Sequence, residues 1–244
     1  MKLNNPQSWP MDVIGHVSSP YKEKFSIPRQ ANLVRHAKGY IEFSAQFNDL
    51  DMLDGLEGYS HLWLVFIFHH TAQQGWKAKV RPQRLGGNKK MGVFATRSTF
   101  RPNPIGLSCV EFKKVEKLNN SGLRLYIQGL DLVDGTPIID IKPYVPYADS
   151  VATAQSQFAA QAPKTSLVVE FAQYLSDKLK QCNQEYENFS EFVAEVLAQD
   201  PRPVYKQNKQ DDKTYGVKLA KWDLQFNIIG NRCIVTDIRV SYSE

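Results

Sequence analysis

Apolar and polar residues alternate along much of the first two thirds of the chain, the signature of half-buried strands. Asp12 to Ser18 and Gly39 to Phe43 show this period of two, and Tyr59 to His69 is a longer apolar stretch of strand type. Ile105 to Leu118 and Leu123 to Leu130 predict a hairpin, because Asn119-Asn120-Ser121-Gly122 between them is good turn sequence. Thr136 to Tyr144 predicts a further strand that ends in Pro-Tyr-Val-Pro. Leu50 to Leu56 is the one short helix expected here. Many strands with Gly and Pro turns favour a barrel or a sandwich over a doubly wound sheet. The pattern leaves barrel and sandwich both open.

The pattern changes around Val151 to Ala162, an uncharged stretch rich in Ala, Gln and Ser that suits a linker. Two helices are expected next. Thr165 or Ser166 can cap the first, with Leu167, Val168, Phe171, Leu175 and Leu179 on one face. Ser190 can cap the second, with Phe192, Val193, Val196 and Leu197 inward and Asp200-Pro201-Arg202-Pro203 stopping it. Strands follow near Tyr215 to Leu219, Trp222 to Ile229 and Cys233 to Tyr242, the last two joined by a Gly230-Asn231 turn. The expectation is a mainly β chain: a β-barrel-like domain over residues 1–160 and a small α+β domain over 161–244.

Composition narrows the class. The apolar fraction of 42% supports a real core. No apolar run approaches the ~18 residues of a membrane span, and Met1 to Trp9 lacks the features of a signal peptide. Cys109, Cys182 and Cys233 form neither a disulfide framework nor a zinc pattern, so a reduced, cytoplasmic setting without a metal is expected. Charge is uneven. Residues 1–162 hold 19 basic and 13 acidic side chains, and the remainder holds 11 and 12. From Trp76 to Pro104 there are eight Lys or Arg and no acid. This run is either a solvated basic face or a surface for phosphates.

Familiar catalytic signatures are absent: G-x-G-x-x-G after a strand, a P-loop, H-E-x-x-H and G-x-S-x-G. What stands out is Ala95-Thr96-Arg97-Ser98-Thr99-Phe100-Arg101-Pro102-Asn103-Pro104-Ile105-Gly106-Leu107-Ser108, in which two prolines stiffen a loop carrying two arginines. Such a loop suits anion recognition, or it simply routes the chain into the next strand. Pro28-Arg29-Gln30 lies in a polar connection that is either a binding loop or ordinary surface. His69 and His70 close an apolar strand, where neighbours point to opposite faces and cannot chelate one metal as a pair. Asp131-Leu132-Val133-Asp134-Gly135-Thr136-Pro137 places a turn before a strand on which Asp140 and Lys142 share a face. Asp134 either binds a ligand amine or caps the turn.

These two long motifs in this order, with Pro-Arg-Gln upstream, resemble the TrmO/TsaA-like (YaeB) family over residues ~10–150, and bacterial members carry a C-terminal domain that corresponds to ~165–244. The resemblance implies a β-barrel S-adenosylmethionine-dependent tRNA methyltransferase. Its implied substrate is N6 of N6-threonylcarbamoyladenosine, 3′ of the anticodon. It also implies a homodimer with the cofactor near the subunit interface. Carried over by motif, the cofactor residues are Pro28, Arg29, Gln30, His69, His70, Arg97, Leu107, Asp134, Gly135, Thr136 and Pro137.

The chemistry is compatible. Arg97 or Arg29 can pair with the cofactor carboxylate, and Leu107 and Pro28 can pack on its adenine. The acceptor nitrogen has a delocalised lone pair and must lose a proton, for which His69, His70, Asp134, Asp140 and Tyr144 are all candidate bases. Lys77, Lys79, Arg81, Arg84, Lys89, Lys90 and Arg101 would meet the anticodon-stem phosphates, with Gly86-Gly87 easing the loop. Two other readings stay open: a non-catalytic tRNA-binding module, and a methyltransferase with a small-molecule acceptor.

Overall fold

The computed structural model describes residues 8–82, 89–119, 122–156, 159–163, 167–202 and 213–241. Six antiparallel strands close into a barrel in the order β1-β2-β7-β6-β3-β8. They are β1 (Gly15–Ser18), β2 (Lys38–Phe43), β3 (His61–Ile67), β6 (Ile105–Lys117), β7 (Leu123–Gln128) and β8 (Pro137–Pro143). Alternation does the sorting: Leu62, Leu64 and Phe66 of β3 point in with Val110, Leu125, Ile127, Ile41, Val17 and Ile138, all at most 6% exposed. Closure removes the free edges that a sandwich would leave, which resolves the choice the sequence left open.

The expected hairpin is present as β6 and β7, and Leu118 N–H bonds Gly122 C=O across the turn at 2.8 Å. Its tip, Asn120-Ser121, lies outside the described residues. The expected short helix at 50–56 is two 3-10 turns, Leu50–Leu53 and Leu56–Gly58. One expectation needs correction. The apolar strand ends at Ile67, and His69 and His70 begin a one-turn helix, α1 (His69–Ala72). They are therefore not opposed across a strand; their rings meet edge-on, 4.3 Å apart. The basic run leaves the barrel as a small ribbon of β4 (Lys79–Val80) and β5 (Met91–Gly92). Arg84, Gly86 and Gly87 lie outside the described residues.

After α2 (Pro146–Asp149), the C-terminal part forms a four-stranded sheet, β10-β11-β12-β9. Its strands are β9 (Val168–Phe171), β10 (Tyr215–Leu219), β11 (Trp222–Ile229) and β12 (Arg232–Val240), and α3 (Ser176–Glu185) and α4 (Phe189–Ala198) complete the unit. Here the first expected helix is wrong in its first half. Val168 to Phe171 pair parallel with β12, and the helix starts only at Ser176. Apolar residues spaced three and four apart happened to span a strand and a helix, and pairing on an open sheet edge prevailed for the β-branched Val168-Val169. Thr165 and Ser166, its expected caps, lie outside the described residues. The α4 cap is Asn188, in a left-handed conformation (φ 62°), while Ser190 exchanges hydrogen bonds with Asn183. A continuous apolar core runs from the barrel into this unit. Ala220 N–H also bonds Pro20 C=O at 2.7 Å, beside a bridge between Tyr21 and Leu219.

Candidate active site

One cavity of about 540 Å³ opens at the rim of the barrel where β3 ends and β6 begins. The loop before β6 is stiffened by its own hydroxyls. Thr96 Oγ1 donates to Val93 C=O (2.8 Å) and accepts from Ser98 N–H, and Ser98 Oγ accepts from Phe100 N–H. Arg101 donates to Thr96 C=O at 2.8 Å, which closes the loop on itself. Phe68 N–H bonds Pro104 C=O at 2.7 Å, tying the start of α1 to the Pro-Asn-Pro bend. Gly106 is required here, because a Cβ would come 2.3 Å from the Phe66 ring.

These constraints bring distant motifs together. Pro28, Arg29, Gln30, His69, His70, Arg97, Leu107 and Thr136 all line the cavity. Arg97 donates to the Gln30 side-chain carbonyl, so the Pro-Arg-Gln loop and the arginine loop form one wall. Leu107 is outward on β6 and 54% exposed, available as an apolar platform. Burial lowers the His69 pKa below the usual imidazole range, with a smaller contribution from His70. His69 is thus a neutral ring at neutral pH and can accept a proton.

Other expected residues lie elsewhere. Asp134 accepts from Ser19 N–H (2.8 Å) and pairs with Lys22 (2.7 Å), in a separate groove between barrel and C-terminal sheet. Asp134, Gly135 and Pro137 are not in the cavity lining. Asp140 pairs with Lys142 of its own strand at 2.6 Å, as their shared face implies. Tyr144 packs on His61 and Trp63, one ring removed from the cavity. Of the expected RNA residues, Arg101 lines the cavity instead, while Lys77, Lys79, Arg81, Lys89 and Lys90 are exposed on or beside the ribbon. Lys77 lies 4.4 Å over the Phe100 ring. Among the described residues, none of the other four makes an ion pair. No group of three or more metal-type ligands occurs among the described residues.

The motif reading missed Asp131 and Ser108, which meet in the cavity wall at 2.6 Å. Burial raises the Asp131 pKa, against the opposing pull of Ser108, backbone N–H groups and Arg97. Ser108 had a signal: it is a polar residue between Gly106 and Val110, on the inward period of β6. A carboxyl with a raised folded-state pKa stabilises the fold at low pH and loses that contribution as pH rises through the folded pKa. Asp131→Asn should therefore melt a few degrees above the parent at neutral pH and match it in acid, read by thermal melts; equal melting at both would remove the buried-charge argument.

Comparison with known proteins extends these observations. A family model of the tRNA-methyltransferase O N-terminal domain matches residues 16–150, and one of the TrmO C-terminal domain matches 164–241. The chain is 47% identical over 221 residues to a tRNA (adenine(37)-N6)-methyltransferase of Escherichia coli, covering 91% of this chain and 94% of the relative. A human protein of the same name is 40% identical over 139 residues, 56% of this chain and 30% of the relative. A crystal structure of TrmO from Pseudomonas aeruginosa superimposes with a TM-score of 0.78 at 36% identity, covering 98% of this chain and 100% of that one.

Proposed function

The chain belongs to the tRNA-methyltransferase O family, and on that premise we propose that it methylates N6 of adenine 37 in tRNA, using S-adenosylmethionine, the activity named for its Escherichia coli relative. More finely, the acceptor is N6-threonylcarbamoyladenosine. The observation that carries the reading is the cavity wall in which Arg97 and Asp131 stand together beside Leu107 and Pro28. Opposite charges side by side suit the two ends of an amino acid, and the apolar pair suits a purine.

When bound, S-adenosylmethionine would supply a methyl group on a sulfonium sulfur, with a neutral thioether as the leaving group. Arg97 holds the carboxylate and Asp131 the ammonium. Leu107 and Pro28 flank the adenine. His69, neutral and in the wall, takes the proton from N6 as the new N–C bond forms. Most of the acceleration is alignment, since in-line displacement needs no covalent help. Titration of the chain with S-adenosylmethionine by calorimetry should give saturable binding. Absence of binding would remove this reading and leave the RNA-binding module.

The ribbon carries the tRNA. Lys79, Arg81, Lys89 and Lys90 are exposed on a segment that springs from the cavity wall, where Lys77 N–H bonds Phe100 C=O. Lys89→Glu with Lys90→Glu should weaken tRNA binding and flatten its log–log salt dependence by about 2 in slope. Cofactor affinity should stay unchanged; its loss would make the ribbon a structural part of the cavity.

The same proposal includes a homodimer, a division into two domains near residue 160, and a cytoplasmic setting. Trp63, Val65, Ile67, Ile105 and Leu107 form an outward apolar face on β3 and β6, none of them fully buried. A second copy laid there would cover this face and close the cavity. No helix among the described residues is long and apolar enough to cross a membrane, and Cys109, Cys182 and Cys233 are free thiols.

A further inference from the structure

The proposed chemistry uses only the barrel, yet the C-terminal helices grip the chain just after the Pro-Arg-Gln loop. Tyr186, following α3, donates its hydroxyl to His36 C=O (2.9 Å) and accepts from Lys38 N–H (2.7 Å). Glu195 of α4 accepts from His36 N–H at 3.0 Å and faces its Nδ1 at 2.9 Å. The segment gripped in this way begins at Pro28. At its middle, Asn32 adopts φ 64° and is pinned on the barrel through Gly129 C=O (2.8 Å) and Cys109 C=O (3.0 Å). Val34 and Ala37 are fully buried.

A second contact runs through the interior. The Tyr21 ring is fully buried 6.0 Å from Phe192 of α4, and its hydroxyl has no hydrogen-bond partner among the described residues. Burial raises its pKa, and Tyr186, Asp131 and Glu195 add to the rise.

We propose that the C-terminal domain sets the shape of the cofactor loop, with Tyr186 and Glu195 as positioning residues that fix the 31–38 segment and, through it, Pro28, Arg29 and Gln30. The identity of the ligand rests on the function proposed above; the mechanical coupling does not. A loop held at one end only samples more conformations, so the cofactor would bind a smaller competent fraction while the bound complex reacts as before.

The test uses full-length Tyr186→Phe and Glu195→Met, which retain the ring packing of Tyr186 against Phe192 (5.2 Å) and approximately the bulk of Glu195 while removing the hydrogen-bonding groups that hold His36 and Lys38. Glu187→Gln, which breaks only the exposed pair with Lys38, is the control. Each of the first two should raise the KM for S-adenosylmethionine roughly tenfold, the effect of losing one or two hydrogen bonds, with kcat nearly unchanged. Hydrogen exchange should accelerate at residues 31–38 and not in β6 or β7. The control should change neither. Unchanged KM with unchanged exchange at 31–38 would overturn the proposal. So would faster exchange spread evenly over the barrel, which is a loss of stability alone. If the parent chain binds no S-adenosylmethionine, the functional reading fails, and exchange at 31–38 alone decides this one.

Discussion

Arg97→Ala should nearly abolish methyl transfer while leaving the fold intact. The guanidinium belongs to an exposed loop outside the core, so its removal should shift stability by no more than about 0.5 kcal/mol. Its role in the cavity is different in kind. It donates to Gln30 and lines the same cavity as Asp131. Arg101 is already committed to Thr96 C=O and cannot take its place without opening the loop. A carboxylate left without its charged partner in a half-enclosed site costs about 2–4 kcal/mol, roughly a 30- to 700-fold loss in kcat/KM. Arg97→Lys should recover part of it, since an ammonium restores charge but not the fork. Steady-state assays with thermal melts check both, and near-normal activity in Arg97→Ala would contradict the cofactor assignment.

His69→Gln should lower kcat roughly 100-fold or more, the usual worth of a positioned proton acceptor. The parent profile follows from the direction of the His69 shift. Its pKa is lowered, so the neutral base is present throughout the neutral range and is lost only as pH falls through that lowered value. Activity should therefore be flat around neutrality and decline in acid, and His69→Gln should lose that acid limb. His70 is exposed, and His70→Gln should keep the plateau and the limb, with the limb moved slightly toward neutrality because the His70 contribution to the His69 shift is lost. An unchanged acid limb in His69→Gln would move the proton elsewhere in the wall, with Asp131 the next candidate.

Much of the architecture was readable because strand alternation is a local property. Leu62, Leu64 and Phe66 declare an inward face on their own, and so do Trp222, Leu224 and Phe226. Closure of the barrel is a long-range property, since β1 must meet β8 more than a hundred residues away, and no local pattern encodes that. Val168 to Phe171 was misread for the same reason: its strand state depends on β12, near the chain end. In the site, the motifs located the cavity wall at Arg97, His69 and Gln30. They did not say which carboxylate faces inward. Asp131 and Asp134 are three residues apart in one motif, and the turn between them sends Asp134 to Ser19 and Lys22 while Asp131 stays at Ser108.

The most direct test of the account is transfer of labelled methyl from S-adenosylmethionine to two pools of otherwise identical tRNA, one bearing the threonylcarbamoyl group on adenine 37 and one lacking it. Label confined to the modified pool, and located on N6, is the predicted result. Label on neither pool, with cofactor binding intact, would contradict it and point to a small-molecule acceptor.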